Sequence, residues 1–299
     1  LRAPGITFRM TEEEMDIYQK CYDNPVWYVE NFCKFMTDAG LDTVELRDFQ
    51  KNVISTVTEE TYIPENDDFG PKNRNIIWMA ARQSGKTTTV ASFLSWMLVF
   101  HPDRNILVVA NKEDTAIEIV DKITNIFKGL PYFLKPGCEN FGKTGLKLEN
   151  GSRILSSATT NTASIGFTIH CVLLDEFAHI ADNIVANFWR SVYPTLSSSK
   201  ISQCIITSTP NGTTNKFYDI WSKALEKKNS FVPIRTDYWE VPSHDDEWAA
   251  QMRADFGDEE FAQEFELQFN INSRMLLKAD DLKFLGYFKK EFVHKPIDI

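Results

Sequence analysis

Five cysteines are scattered through 299 residues (Cys21, Cys33, Cys138, Cys171 and Cys204), and no two form a Cys-x-x-Cys pair. A zinc site of the usual spacing is therefore not expected. Cys171 and Cys204 lie in apolar runs and read as small core residues, and unpaired thiols suit a reducing cytosol. Positive charge is also in short supply. The 32 Lys and Arg against 42 Asp and Glu leave a net charge of −10. That argues against a uniformly basic nucleic-acid binder but leaves room for a local basic patch. Long apolar runs are missing too. The most apolar stretch, Val90 to Phe100, is interrupted by Ser92 and Ser95 and falls far short of the roughly 20 residues a spanning helix needs. No signal-peptide pattern and no internal repeat is found. The chain starts at Leu1 rather than Met, which reads as a piece of a longer protein. What remains is a chain that is 43% hydrophobic, enough for a substantial core in one large domain, or one domain plus a smaller piece.

The rest of the chain is organised around Asn75-Ile-Ile-Trp-Met-Ala-Ala-Arg-Gln-Ser-Gly-Lys-Thr-Thr-Thr89. Ile76 to Met79 form a short apolar run, which predicts a buried strand. A turn with Gly85-Lys86-Thr87 follows, and Val90, Phe93, Leu94, Met97 and Leu98 then recur at helical spacing. Strand, loop ending in Gly-Lys-Thr and helix is the order of a phosphate-binding loop. Such a loop aims backbone N–H groups at phosphate oxygens, and the helix N-terminus adds partial positive charge. Lys86 is placed to reach the β- and γ-phosphates, and Thr87 to offer a hydroxyl to magnesium. The common pattern has Gly where this chain has Ala80, and an ordinary exposed loop reading Gly-Lys-Thr stays an alternative on this stretch alone.

A second stretch shifts the balance. Cys171-Val-Leu-Leu-Asp-Glu176 is an apolar strand ending in two carboxylates. Asp175 is placed to hold magnesium, directly or through water. Glu176, ionised at neutral pH given an ordinary pKa of about 4.3, can orient the attacking water. Strand-end acids are common by themselves. The two motifs in this order, with a strand and a helix between them, are much harder to obtain by chance.

Taken in order, the chain opens on an irregular arm. Thr11 and Glu14 form a capping box, predicting a helix to about Cys21. Pro25 fits the first turn of a second helix that runs through Trp27, Tyr28, Phe32 and Phe35 to about Ala39. A helix containing Gln50 should end near Glu60. A glutamine shortly before a phosphate loop can read adenine with its amide, although on the residue alone a surface glutamine is the simpler reading. Residues 63–74 read as a loop. Ile106 to Ala110 is a second buried strand, followed by a helix with Ala116, Ile119, Val120, Ile123, Ile126 and Phe127 on one face. Leu146 to Leu155 reads as a hairpin with Asn150-Gly151 at its turn. Residues 156–168 suggest a mobile loop, and residues 195–200 a Ser/Thr-rich loop. Gln203 to Gly212 is another buried strand, ending in hydroxyls and a turn. Asn215 to Leu225 reads as a helix. Beyond Arg235, aromatic residues lie among many acids, which suggests a small helical subdomain. There Glu259, Glu260, Glu264 and Glu266 form a solvated face, and residues 276–299 read as a linker. Strands alternating with helices around a phosphate loop predict a parallel α/β sheet. Lys86, Asp175, Glu176 and Thr207 to Thr209 then gather at the carboxyl ends of its strands.

Four segments together carry a resemblance to a known family: Leu46-Arg-Asp-Phe-Gln50, Ala81-Arg-Gln-Ser-Gly-Lys-Thr-Thr88, Val172-Leu-Leu-Asp-Glu176 and Ile206-Thr-Ser-Thr-Pro-Asn-Gly212. The set resembles the large terminase subunit of tailed bacteriophages, nearest to the packaging motors of large contractile-tailed phages. The resemblance covers residues 46–212 well and the flanks loosely, and it accounts for Ala80. It implies an α/β parallel-sheet P-loop core of the RecA/ASCE kind, with ATP and Mg2+ as ligands. It also implies that Gln50 contacts adenine and that Ala81, Arg82, Gln83, Ser84, Gly85, Lys86, Thr87 and Thr88 cradle the phosphates. By the same resemblance Thr87 and Asp175 hold the metal, Glu176 is the catalytic carboxylate, and Arg82 senses the γ-phosphate. Thr207, Ser208 and Thr209 would couple hydrolysis to movement, with Ser208 standing where the family usually has Thr. The arginine that many relatives carry before the Asp-Glu strand is not matched in Ser164-Ile-Gly-Phe167, which puts a trans-acting arginine there in doubt.

The domain organisation expected is a helical arm (1–40), an ATPase core (41–235), and a small subdomain with a linker toward an absent nuclease domain (236–299). The implied activity is ATP hydrolysis driving double-stranded DNA into a procapsid. The implied partners are DNA, the portal protein and the small terminase subunit. A homo-oligomeric ring on the portal is implied in the host cytoplasm, with a monomer in solution allowed. Two other readings stay open on sequence. One is a helicase-like ATPase, disfavoured because the 87 residues after Gly212 (299 − 212) are few for a second lobe of about 100–150. The other is a regulatory nucleotide-binding module, disfavoured by Glu176.

Overall fold

The computed structural model describes residues 1–37, 40–64, 67–158 and 168–269. Among them the α-helices are α1 (Glu12–Asp23), α2 (Pro25–Phe32), α3 (Asp48–Thr58), α4 (Lys86–Phe100), α5 (Glu113–Gly129), α6 (Asp182–Ser191), α7 (Tyr193–Ser198), α8 (Lys216–Leu225), α9 (Asp246–Phe256) and α10 (Asp258–Glu264). The strands are β1 (Lys34–Thr37), β2 (Gly40–Thr43), β3 (Glu60–Ile63), β4 (Asp68–Pro71), β5 (Asn75–Ala80), β6 (Asn105–Ala110), β7 (Cys138–Gly142), β8 (Gly145–Leu148), β9 (Arg153–Ala158), β10 (Cys171–Leu174), β11 (Gln203–Ser208) and β12 (Phe231–Thr236).

The core is an eight-stranded sheet in the order β12-β5-β11-β10-β6-β9-β8-β7. The six strands from β12 to β9 run parallel, and β8 and β7 complete the edge antiparallel. Parallel strands are buried on both faces, so they read as continuous apolar runs. The period of two remains visible in where each side chain goes. Ile76, Trp78 and Ala80 of β5 face one core with Ile106, Val108 and Leu173. Ile77 and Met79 face the other with Leu107, Val109, Val172 and Leu174. The first core is closed by α2 to α5, the second by α6 to α8.

Helix α4 is buried from Thr89 to Phe100, so it is apolar all round rather than amphipathic. Its serines are satisfied inside: Ser92 donates to the Thr88 carbonyl at 2.8 Å and Ser95 shares a 2.9 Å hydrogen bond with the Tyr28 hydroxyl. The N-terminal helices lie against it through edge-on contacts of Tyr18 and Tyr28 with Phe100. Trp78 anchors β5 to the outer strand β12 by donating from its indole nitrogen to Thr236 at 3.0 Å. Truncating a buried aromatic of this kind costs about 3–5 kcal/mol.

Both the Thr11–Glu14 capping box and the Asn150-Gly151 hairpin turn form, the latter with Gly151 at φ +83°. Four local expectations are corrected. The second helix stops at Phe32, and Phe35 lies instead in the β1–β2 hairpin, where Gly40 takes φ +111°. The 63–74 segment carries most of a second hairpin, β3 paired with β4. Residues 193–198 form α7 because Pro194 suits a first helical turn. Glu266 is not free on a solvated face, and Glu264 is tied to the 81–85 loop through its backbone. The Glu264 carbonyl accepts from the Arg82 N–H at 2.9 Å, and Glu266 pairs with Arg253. A fifth concerns residues 156–158 of the expected mobile loop, which complete β9 instead; the 276–299 linker and the 159–167 portion of that loop lie outside the described residues, as does Ala39.

Candidate active site

Parallel strands bring their carboxyl ends to one edge. Strand β5 is followed by the 81–85 loop, β10 by Asp175, β11 by Thr209 and β6 by Asn111. A cleft of about 610 Å³ opens there, lined by residues 80–88, Asn111, Lys112, Thr115, Lys122, Glu176, His179, Thr209 and Glu264. Ala81, Arg82, Gln83, Ser84, Gly85, Lys86, Thr87 and Thr88 therefore all border one cavity.

The loop takes its shape from two positive-φ residues, Gln83 at +61° and Gly85 at +85°. Gly85 is required twice over, since a Cβ there would also come within 2.9 Å of the Gln50 amide nitrogen. Arg47 steadies the loop from below by donating to the Ser84 carbonyl at 3.0 Å. Not every loop N–H is available to a ligand. Ala81 donates to the Thr236 carbonyl and Arg82 to that of Glu264, each at 2.9 Å, and Ser84 donates to Ala81 at 3.3 Å. The opening N–H groups of α4, Lys86 to Thr88, have no carbonyl one turn back and point out of the helix end. The first closed helical bond is Thr89 to Gly85, at 3.0 Å.

Lys86 meets both carboxylates. Its ammonium is 2.7 Å from Glu176 Oε1 and 3.2 Å from Asp175 Oδ1, with only 10% of the side chain exposed. Burial works against the charge, but the fields of Asp175 and Glu176 outweigh it and hold the lysine above its usual pKa. Lys86 thus stays a cation throughout the neutral range. Asp175 is 4% exposed and accepts a 2.5 Å hydrogen bond from the Thr207 hydroxyl. The sheet register explains that contact. Leu174 stands beside Ile206, so the next residues in each strand, Asp175 and Thr207, are also neighbours. Glu176 has φ +50°, a conformation that costs a non-glycine residue roughly 1–3 kcal/mol and tends to mark functional turns.

A short 3-10 turn at Phe177–His179 follows. It is tied to the end of β11 at several points. Ala178 N–H donates to Ser208 Oγ at 3.1 Å, Asn211 donates to the Ala178 carbonyl at 3.0 Å, and His179 Nε2 lies 3.0 Å from Thr209 Oγ1. Thr207, Ser208 and Thr209 therefore each touch the Asp175–His179 segment. Arg82 is exposed at the cleft rim.

Gln50 is placed differently from the other site residues. It is 6% exposed and does not line the cleft. Its amide oxygen accepts from the Arg47 N–H and its amide nitrogen donates to Thr89 Oγ1, each at 3.0 Å. Both ends of the amide are thus engaged beneath the loop. Residues not anticipated from sequence include His179, Lys112, Lys122 and Glu264. Lys112 follows the end of β6 and could have been found from the strand-edge rule. Glu264 comes from the far end of the described chain, and no local signal marks it.

A family model for the N-terminal part of the large terminase subunit, T4likevirus type, matches residues 77–284. The ATPase domain of the large terminase of Thermus phage P74-26 is 20% identical over 75% of this chain and 100% of that one, with a TM-score of 0.54. The large terminase of bacteriophage HK97 is 15% identical over 82% of this chain and 54% of its own length, with a TM-score of 0.64. That of another thermophilic bacteriophage, solved in complex with ADP, is 13% identical over 75% of this chain and 54% of its own, with a TM-score of 0.57. The chain thus spans the whole P74-26 domain but only about half of the other two proteins. The sheet is shared with terminase ATPase domains of the RecA/P-loop type, and the family match extends over most of the sequence. This chain belongs to the family of T4likevirus-type large terminase subunits, matching the N-terminal part.

Proposed function

We propose that this chain binds ATP with magnesium in the cleft and hydrolyses it to drive double-stranded DNA into a procapsid. The observation that carries the reading is the meeting of Lys86, Asp175 and Glu176 beside the 81–88 loop. Family membership supports it, as does the capture of one thermophilic-phage terminase with ADP and with ATP-gamma-S. The triphosphate lies along the loop and the N-terminus of α4, where Lys86 to Thr88 offer N–H groups and Lys86 a mobile cation. Phosphate oxygens compete with the two carboxylates for that cation. Glu176, once released, can accept a hydrogen bond from a water. That water's oxygen bonds to the γ-phosphorus as the bond to the β–γ bridging oxygen breaks, giving ADP and inorganic phosphate, while Glu176 holds the water by accepting its hydrogen bond and the proton passes to a phosphate oxygen.

Thr87 and Asp175 are the residues to hold magnesium. The donor set fits: a hydroxyl and a carboxylate are hard oxygen ligands, and magnesium commonly takes few protein ligands beside phosphates and waters. A bound magnesium ion supplies charge neutralisation at the phosphate oxygens. Arg82, at the rim, is assigned to the γ-phosphate, and Thr207 to Thr209 to coupling. For adenine contact, Gln50 must exchange one of its present hydrogen bonds.

The portal, the small terminase subunit and further copies of this chain are the partners assigned, in the host cytoplasm. Among the described residues no helix is long and apolar enough to cross a membrane. The test is ATP turnover by the purified chain with magnesium, and packaging by the motor carrying Thr209→Ala. Turnover in the first and hydrolysis without DNA movement in the second are expected. No turnover at all, or normal packaging by the variant, would remove the corresponding assignment.

A further inference from the structure

Glu176 has two carboxylate oxygens, and only one of them faces Lys86. Oε1 takes the ammonium at 2.7 Å, while Oε2 faces His179, whose Nε2 is 3.9 Å away. The same imidazole nitrogen lies 3.0 Å from the Thr209 hydroxyl. His179 thus stands between the carboxylate and the exit of β11. It is partly exposed in the cleft wall, with its side chain 26% accessible. Its backbone is fixed. The His179 N–H donates to the Glu176 carbonyl at 3.0 Å, and the preceding carbonyl, Ala178, is held by Asn211 at 3.0 Å and Asn215 at 3.3 Å. The ring therefore has little freedom except about its own side-chain torsions.

We propose that His179 is a positioning residue: hydrogen-bonded to Thr209 at 3.0 Å, its imidazole sets what the second oxygen of Glu176 faces at 3.9 Å, so that the carboxylate's orientation and the 207–209 strand exit are set together. The inference rests on the reading of Glu176 given above. The other ties between the two segments reach different atoms: Thr207 bonds Asp175, Ser208 bonds a backbone N–H, and Asn211 bonds a backbone carbonyl. His179 alone among these side chains approaches the Glu176 carboxylate. The tautomer with the proton on Nε2 donates to Thr209 Oγ1 and turns the positive edge of the ring toward Oε2; the other tautomer accepts from Thr209 and turns a lone pair toward the carboxylate. A shift of Thr209 then moves the imidazole, and the imidazole changes what the second carboxylate oxygen meets.

The test uses the full chain with magnesium and ATP. His179→Ala should lower kcat by about tenfold, the scale of one lost positioning hydrogen bond, with KM for ATP unchanged. His179→Gln, whose amide can reach the same hydroxyl, should restore kcat to within about twofold of wild type. Thr209→Val should lower kcat like His179→Ala, and the double variant should fall no further than the worse single, as for residues acting through one link. Wild-type kcat in His179→Ala would overturn the inference. So would a raised KM at constant kcat, independent losses that multiply in the double variant, or failure of Gln to restore activity. Absence of hydrolysis by the wild type, or full turnover by Glu176→Gln, would instead overturn the reading of the site itself.

Discussion

Removing Lys86 should destabilise the protein as well as disable it. Two carboxylates share this ammonium, at 2.7 and 3.2 Å. In Lys86→Ala the two are not left alike. Glu176 keeps 30% of its side chain exposed and can turn to water, whereas Asp175, at 5%, keeps only the Thr207 hydroxyl. Breaking a buried pair by removing one partner costs about 3–5 kcal/mol. With one acid rehydrated, roughly 2–4 kcal/mol falls on Asp175. At about 2 °C per kcal/mol for a chain of this size, Tm should drop by about 4–8 °C. Adding Asp175→Asn to Lys86→Ala should recover most of the Tm but none of the ATP turnover. The assay is thermal unfolding without nucleotide, paired with phosphate release. A wild-type Tm in Lys86→Ala, or an additive loss in the double variant, would refute the buried three-way contact.

Two further outcomes follow from the geometry. Gln50→Ala should weaken tripolyphosphate as well as ATP, because its amide braces Arg47 and Thr89 under the loop. Competition binding checks this, and weakening confined to ATP would show that the side chain leaves that position to meet the base. His244 is stacked on Trp248, with ring centroids 3.7 Å apart, and its pKa is lowered by burial and then by the Arg47 charge. The unfolded state therefore takes up its proton first. The stability His244 contributes is full above its unfolded pKa of about 6.5 and is lost as pH falls toward the folded value. His244→Phe should flatten the acid side of the Tm–pH curve; His170, lowered in the same direction, remains in both proteins. An unchanged slope would contradict the assignment.

The sheet was legible in the sequence because parallel strands must be apolar throughout and are short. Ile76 to Met79, Ile106 to Ala110, Cys171 to Leu174 and Gln203 to Ser208 all stand out as such runs, and all pair in the sheet. Their carboxyl ends then had to meet, which placed Lys86, Asp175, Glu176 and Thr207 to Thr209 together before any contact was known. Phe35 was harder. Its aromatic neighbours continue the pattern of α2, and only the turn at Gly40 marks the change to a hairpin. The β3–β4 hairpin was hidden by Pro64, Gly70 and Pro71, residues that read as loop. Gln50 shows a further limit. Type and spacing mark a residue for a site, but whether it faces the ligand or braces the loop depends on tertiary neighbours such as Thr89 and Arg47. Glu264 reaches the loop through its carbonyl, an interaction that carries no side-chain signature.

In the proposed magnesium–ATP site Glu176 orients the hydrolytic water. The most direct test of this role is Glu176→Gln, with ATP affinity and single-turnover hydrolysis measured on the same preparation. The amide keeps the shape and can still meet Lys86 through its oxygen, but its other end is an NH2 that donates where the carboxylate accepts, and the negative charge is gone. Affinity should stay within a few fold of wild type, while the rate falls by about 10²–10⁴. A rate that falls only as far as affinity does would make Glu176 a structural partner of Lys86, and hydrolysis at the wild-type rate would place the catalytic group elsewhere.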